Sequence, residues 1–256
     1  ARRLWGTIMK DRFGAEEERS RLLRFHTQTA GVALTAQQPH INVVRATLQA
    51  LSAVLGGTQS LHVNAMDEAL GLPTEGAARL ALRTQQILAH ESGTANTVDP
   101  VAGSYYVEAL TDEIEARATE YLRRIDQLGG MERALERGFV QKEIAEEAFR
   151  FQREVESGER RIVGVNAYSE EEPAHMEITR VDPALEAGQI ERLGRFRKGR
   201  DASAVDGALG RVRDAADGGE NLMPSVIEAM GRHATLGEVS DALRAVYGTY
   251  RPLQEF

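Results

Sequence analysis

Three segments of the chain each combine a short strand-like pattern with a helix-like pattern behind it. The candidate strands are residues 22–29, 59–64 and 96–101. Strands that alternate with helices predict parallel βαβ units. A closed parallel barrel needs about eight such strands. The chain also opens within a helical pattern and without an initiator methionine, so we expect part of a barrel whose other strands come from sequence outside these 256 residues.

The helical patterns between the strands have recognisable ends. Helices are predicted over residues 2–13, 41–55, 75–90 and 112–128, with Thr74 and Thr111 as N-caps of the last two. In the second helix four apolar residues recur at helical spacing, and they predict the face that covers the sheet. They are Val44, Leu48, Leu51 and Leu55.

The organisation changes near residue 130. Beyond it the patterns are helical, apart from one short strand candidate at 162–165 and an acidic, proline-containing stretch at 170–183 that indicates an exposed connector. Thr235 and Glu238 form a capping-box pattern ahead of a helix over 239–247. We therefore predict two domains: residues 1–130 as barrel and residues 131–256 as a helical extension.

The amino-acid composition argues against several kinds of partner and ligand. Acidic residues outnumber basic ones, 39 to 31, for a net charge of −8, which argues against nucleic acid or an anionic membrane as partner. The chain has no cysteine, so disulfides and thiolate ligands are excluded. We find no apolar run long enough to span a bilayer and no signal-peptide pattern. We expect a cytoplasmic location.

The first polar cluster lies at the end of the first candidate strand, where a parallel barrel gathers its functional groups. His26 and Gln28 alternate with Phe25, Thr27 and Thr29, so the two share one face of the sheet. Gly31 follows and lets a ligand approach the backbone closely. The alternative is a hydrogen-bonded polar layer inside the barrel.

The second cluster follows the second candidate strand. Asn64 ends that strand and Glu68 comes one turn later, so both side chains are expected at the barrel mouth. A carboxylate offers two acceptor oxygens that match the two hydroxyls of a ribose. The alternative makes Asp67 and Glu68 first-turn acids that complement a helix dipole.

A third cluster is less specific. Asp99 and Pro100 precede a loop over residues 103–106 that contains two tyrosines. The loop is able to close over a ligand, but a loop of this composition is more often simply a packed turn.

Seven separated segments, in order, resemble the large subunit of the adenosylcobalamin-dependent acyl-CoA mutases, the methylmalonyl-CoA mutase family. The resemblance covers nearly the whole chain, and several motifs in sequence are more specific than any one alone. It implies the C-terminal part of a (β/α)8 TIM barrel, followed by a mainly helical extension. The segments are RFHTQTAG, LTAQQPHINVVR, GGTQSLHVNAMDEALGLPT, ESGTANTVDPVAGSYYVE, GGMERALERG, IVGVNAY and ATLGEVSDALRAVYG.

The resemblance implies an intramolecular transferase that rearranges the carbon skeleton of an acyl-CoA by radical chemistry supplied by adenosylcobalamin. It places Gln28 and Gly31 against the corrin, Asn64 and Glu68 on the adenosyl ribose, and Gly71 against the cofactor. No catalytic residue or metal ligand is assigned to this chain. The family's catalytic histidine and tyrosine, and most groups that bind coenzyme A, belong to the upstream barrel.

The resemblance also implies partners. The Asp-x-His-x-x-Gly motif of the cobalamin-binding domain is absent, so that domain is expected elsewhere on the polypeptide or as a separate small subunit. An open strand edge at residues 22–29 predicts association with the missing barrel segment or with another copy, and inactivity of the chain alone. Methylmalonyl-, isobutyryl- and 2-hydroxyisobutyryl-CoA all remain open as substrates. The alternative function is a non-catalytic helical module, residues 131–256, that docks a cobalamin subunit or a chaperone.

Overall fold

The computed structural model describes residues 1–170 and 178–250. These residues are mostly helical and contain one small parallel sheet. No helix among them is both apolar enough and long enough to cross a membrane. The elements are α1 (Arg2–Asp11), α2 (Glu18–Arg21), β1 (His26–Gln28), α3 (Asn42–Leu55), β2 (Ser60–His62), α4 (Glu75–His90), α5 (Tyr105–Gln127), α6 (Met131–Glu136), α7 (Phe139–Glu156), α8 (Pro183–Lys198), α9 (Ala202–Asp217), α10 (Leu222–Gly231) and α11 (Leu236–Tyr247).

Strands β1 and β2 are parallel neighbours, paired in the register that sets Thr27 opposite Leu61. The first two predicted strands are confirmed, although both are shorter than predicted. Backbone hydrogen bonds extend the pairing at each end, from Gln59 N to Phe25 O and from Thr29 N to His62 O. The ends of the two strands are therefore held side by side.

The third predicted strand, residues 96–101, is wrong. Thr94–Asn96 is a 3₁₀ turn, and Asp99 adopts a left-handed backbone with φ of 48°, which an extended strand does not accommodate. In the part of the chain that the structure describes, the sheet has two strands. The candidate at 162–165 is also wrong as a strand, because it forms a turn with a single bridge between Val163 and Ala167.

The face that α3 packs inward overlaps the predicted one only in part. Leu51 packs against the core as predicted, whereas Val44 and Leu48 point outward, 60% and 59% exposed. The fully buried stripe is Asn42, Ala46 and Ala50. These small residues allow α3 to approach its neighbours closely. They belong to a core shared by α3, α4 and the end of β2, made of Ala46, Ala50, Val63, Ala81 and Leu88.

Helix boundaries follow the local signals in most places. Helix α4 begins at its predicted residue, because Thr74 Oγ1 accepts a hydrogen bond from Ala77 N. Helix α5 begins at Tyr105, well before the predicted Thr111 cap. Thr111 lies inside the helix and donates its hydroxyl to Val107 O, an interaction that threonine also makes in helix interiors.

The chain forms two compact units, one ending at Arg180 and the other beginning at Val181. In the second unit α9 packs against α10 and α11, and the predicted capping box of Thr235 and Glu238 opens α11. Half of the predicted connector at 170–183, residues 171–177, lies outside the described residues. The predicted domain boundary at residue 130 stays a prediction.

Candidate functional site

The candidate site lies where β1 and β2 end. Gln28 is the last residue of β1, and Asn64 follows β2 by two residues. The Gln28 Nε2 donates to Asn64 Oδ1 over 3.1 Å. The Asn64 backbone N–H donates to Thr29 Oγ1 over 2.9 Å. Because Thr29 and Asn64 are both buried, these bonds hold the two strand ends together.

Gly31 forms the next part of the site. It begins a 3₁₀ turn, Gly31–Ala33, immediately after β1. A β-carbon at this position would lie 2.8 Å from Asn64 Nδ2 and 3.5 Å from Glu68 Cγ. A side chain there would therefore collide with the Asn64 amide, and glycine lets the loop after β1 lie close to Asn64 and Glu68.

Glu68 approaches Gly31 from the loop after β2. The loop turns tightly, since Glu68 N donates to Ala65 O over 3.1 Å and Leu70 N donates to Asp67 O over 2.8 Å. The Glu68 side chain is exposed. Within residues 1–170 and 178–250 no hydrogen bond or ion pair engages its carboxylate. Its two oxygens are available to a ligand with hydroxyl donors.

Gly71 has other surroundings. It is exposed, and a β-carbon there would lie 3.1 Å from Ile178 Cγ2. Thr179 forms a bridge with the adjacent Leu72. The structure thus brings together Gln28, Gly31, Asn64 and Glu68, and it gives Gly71 a neighbour from another segment.

The remaining predicted polar groups are His26 on β1 and the third cluster near the start of α5. His26 lies on the same exposed side of the sheet as Gln28, and its Nδ1 is 2.7 Å from Ser60 Oγ. The third cluster is a turn, and Tyr105 and Tyr106 lie at the start of α5, largely exposed. Gly103 N donates to the Glu108 carboxylate over 3.0 Å and ties this turn to α5.

Two buried polar residues near the site were not predicted to support it. Asn42 is fully buried and Asp67 is 2% exposed. Asp67 was considered as an acid of a helix first turn, whereas its Oδ2 accepts from both Thr74 N and Thr74 Oγ1, over 2.8 and 3.0 Å. The sequence pattern could have indicated that Asn42 is buried, because Asn42 continues the four-residue spacing of Ala46 and Ala50 along α3.

Comparison with known proteins identifies the family. The methylmalonyl-CoA mutase family model matches residues 1–249. The chain belongs to the methylmalonyl-CoA mutase family. It is 47% identical, over its whole length, to the 2-hydroxyisobutanoyl-CoA mutase large subunit of Aquincola tertiaricarbonis, of which it covers 46%. It is 45% identical over 98% of its length to the methylmalonyl-CoA mutase of Escherichia coli (strain K12), and covers 35% of it.

A third mutase relative extends the range of organisms. The probable mitochondrial methylmalonyl-CoA mutase of Caenorhabditis elegans is 43% identical over 98% of the chain, which covers 34% of that protein. The chain therefore spans less than half the length of these family members. The match confirms the resemblance drawn from the sequence motifs.

Proposed function

We propose that this chain is the C-terminal part of the barrel, with the helical extension, of the large subunit of a cobalamin-dependent acyl-CoA mutase. The observation that carries the proposal is the convergence of Gln28, Gly31, Asn64 and Glu68 at the strand ends. In a parallel α/β barrel this edge is the functional one. The family members that this chain matches are more than twice as long. In the proposal, the rest of the (β/α)8 barrel therefore comes from outside these residues.

The residue types at the strand ends suit the adenosyl group of adenosylcobalamin. Gly31 leaves the backbone beside Asn64 free of a side chain, and the exposed Glu68 carboxylate offers acceptor oxygens to a ribose diol. When bound, the cofactor supplies the radical that starts the rearrangement of the acyl thioester. In this proposal Asn64 and Glu68 hold the ribose, Gln28 and Gly31 face the corrin, and Gly71 lies against the cofactor.

The residues of this chain act by binding and orientation. Gln28 fixes the Asn64 amide by its hydrogen bond, so that Asn64 meets the ribose in one orientation. Glu68, held on a tight turn, aligns the adenosyl group toward the substrate side of the barrel. The wall formed by β1, β2 and their loops also excludes water from the reacting groups. The cobalamin-binding domain or small subunit and the acyl-CoA are the proposed partners.

The test is Glu68→Ala in the full-length large subunit, reconstituted with its cobalamin-binding subunit or domain. We expect turnover to fall about 100-fold with normal assembly, because misplaced reacting groups lose rate on that scale. Glu75→Ala is the matched control, since Glu75 is an exposed carboxylate that pairs with Arg79 on α4. Absence of turnover with methylmalonyl-, isobutyryl- and 2-hydroxyisobutyryl-CoA in the wild type would contradict the proposal.

A docking role for the extension is the second candidate. On α10 the apolar residues Met223, Ile227 and Met230 are 58%, 64% and 47% exposed, and they follow one another at helical spacing. Exposed apolar stripes of this kind mark interaction surfaces. If Glu68→Ala disrupted assembly while activity per assembled complex stayed intact, the docking role would be favoured over the ribose-holding role.

A further inference from the structure

A single buried amide joins the two loops that carry the candidate site. Asn42, the first residue of α3, is 0% exposed. Its Oδ1 accepts from Thr35 N over 3.1 Å, and its Nδ2 donates to Thr35 O and to Met66 O, each over 2.9 Å. A buried amide this fully hydrogen-bonded is costly to replace, because each lost partner leaves an unpaired polar group.

The position of these bonds relates them to the site. Thr35 lies four residues after Gly31, on the loop that follows β1. Met66 lies between Asn64 and Glu68, on the loop that follows β2. All of the Asn42 bonds to these loops go to backbone atoms, so they fix the path of the chain. Asn42 thereby sets the separation of Gly31 from Glu68.

Arg45 determines how the Asn42 amide is oriented. Its Nη1 donates to Asn42 Oδ1 over 2.8 Å and to Thr35 Oγ1 over 2.9 Å. A guanidinium is only a donor, so it holds the amide oxygen toward itself and leaves Nδ2 directed at Met66 O. The orientation of the Asn42 amide is therefore fixed, because a reversed amide would place its NH2 group against the N–H donors of Arg45.

The same arginine reaches the IVGVNAY motif, to which the proposed function gives no role. Arg45 Nη2 donates to Val163 O over 2.6 Å, and Gln38 Nε2 donates to Tyr168 O over 2.9 Å. The motif therefore packs against the loop after β1 and completes the surroundings of Arg45. Residues far along the chain support the site through a continuous set of hydrogen bonds.

We infer that Asn42 is a positioning residue, oriented by Arg45, that aligns Asn64 and Glu68 for the adenosyl group. The inference rests on the proposed function. A positioning role differs from a purely structural one, because replacing Asn42 should then weaken recognition of the adenosyl group selectively. The rest of the cobalamin is held mainly by the cobalamin-binding domain or subunit, so its binding is expected to change little.

The experiment measures two dissociation constants for the full-length protein assembled with its cobalamin-binding subunit or domain. One is for adenosylcobalamin and the other for methylcobalamin, which lacks the adenosyl group. In Asn42→Asp the acceptor side is retained, while a carboxylate oxygen faces the carbonyls of Thr35 and Met66. We expect the preference for adenosylcobalamin to fall about tenfold, with methylcobalamin affinity within about twofold of wild type.

Two further variants make the outcome decisive. Asn221→Asp is the matched control: Asn221 caps α10 through its side chain, aspartate caps equally well, and the preference should be unchanged. Arg45→Met removes the orienting guanidinium and should lower the preference in the same direction. If Asn42→Asp fails to fold, the adenosylcobalamin preference of Arg45→Met tests the inference in its place.

The results separate this inference from the function on which it rests. If wild type prefers adenosylcobalamin and Glu68→Ala abolishes the preference, but Asn42→Asp keeps it, the inference is overturned and the proposed function stands. A parallel loss of both affinities in Asn42→Asp also overturns it. Without any preference in wild type, both proposals fall.

Discussion

The Gln28 side chain donates a hydrogen bond to the Asn64 side chain over 3.1 Å, across the ends of two adjacent parallel strands. Asn64 is 3% exposed and Gln28 is largely exposed. The exposed Gln28 side chain thus provides the hydrogen-bond donor for the buried Asn64 Oδ1. The orientation of the Asn64 amide depends on a partner 36 residues away in the chain.

Replacement of Gln28 by leucine is expected to destabilise the protein and to impair turnover. The substitution leaves the buried Asn64 Oδ1 without its donor, which costs about 1–3 kcal/mol. Chemical denaturation of the full-length protein measures the loss. Gln152→Leu is the control, because Gln152 lies on α7 and bonds only the exposed Glu156; its effect should stay within about 0.5 kcal/mol. Equal effects of the two variants would argue against the importance of the Gln28 bond.

Gly31→Ala is expected to reduce turnover about tenfold or more and to lower the free energy of unfolding by about 1–3 kcal/mol, because displacing the buried Asn64 amide breaks its bond to Gln28. The added β-carbon would lie 2.8 Å from Asn64 Nδ2, so the amide must move out of its position. Gly76→Ala, on α4 with nothing within 4 Å of the new β-carbon, should leave turnover unchanged and stabilise the helix by up to about 1 kcal/mol. Turnover in Gly31→Ala at the wild-type level would refute a functional role for the close approach of Gly31 to Asn64.

Asp67 and Thr74 should be energetically coupled. The Asp67 carboxylate accepts two hydrogen bonds from Thr74, one of them from the backbone. Asp67→Ala is expected to lower the free energy of unfolding by about 2 kcal/mol, since hydrogen bonds to charged groups have that value. A double-mutant cycle with Thr74→Ala should give a coupling energy of about 1 kcal/mol. Additive effects would show that the two side chains act independently.

Stability of the second unit should depend on pH below about pH 5. Hydrogen bonds from Arg200, and further ones from Thr235, lower the pKa of Glu238 to about 2. A carboxylate with a lowered pKa stabilises the fold above its unfolded value of 4.5, and that contribution disappears as pH falls from there toward 2. Its size is about 2 kcal/mol.

Hydrogen exchange of the α11 amides between pH 3 and pH 6 measures this effect. In Glu238→Gln protection should change less with pH than in wild type, because the titrating group is gone. Glu191→Gln is the control, since its pair with Arg195 lies in solvent. A pH dependence in Glu238→Gln equal to that of wild type would contradict the assignment.

Local signals predicted several elements correctly. The Thr74 cap and the Thr235–Glu238 capping box operate within four residues, so their partners are visible in the printed sequence. The positions of β1 and β2, and the site residues at their ends, followed from alternation and from the rule that parallel strands end at one edge. The roles of the five predicted residues in cofactor binding stay predictions.

Other features could not be read from the sequence. The stretch 96–101 has strand-like residues, but Asp99 adopts a left-handed conformation. Val44 and Leu48 fit a covering stripe as well as Ala46 and Ala50 do, because periodicity identifies a face without saying what packs on it. The small residues were selected by the close approach of α3 to α4 and the sheet.

By itself the sequence determined the family, most boundaries of the five helices that it predicted, and the polar residues at the two strand ends. Only the tertiary structure decided that Asn42, Arg45 and Asp67 support those residues. The physical reason is the reach of the interactions. Caps and periodic faces arise from neighbours within a turn, whereas the bonds from Asn42 to Met66 and from Arg45 to Val163 join residues 24 and 118 positions apart. Such partners become specified only when packing excludes water and requires every buried polar group to be paired.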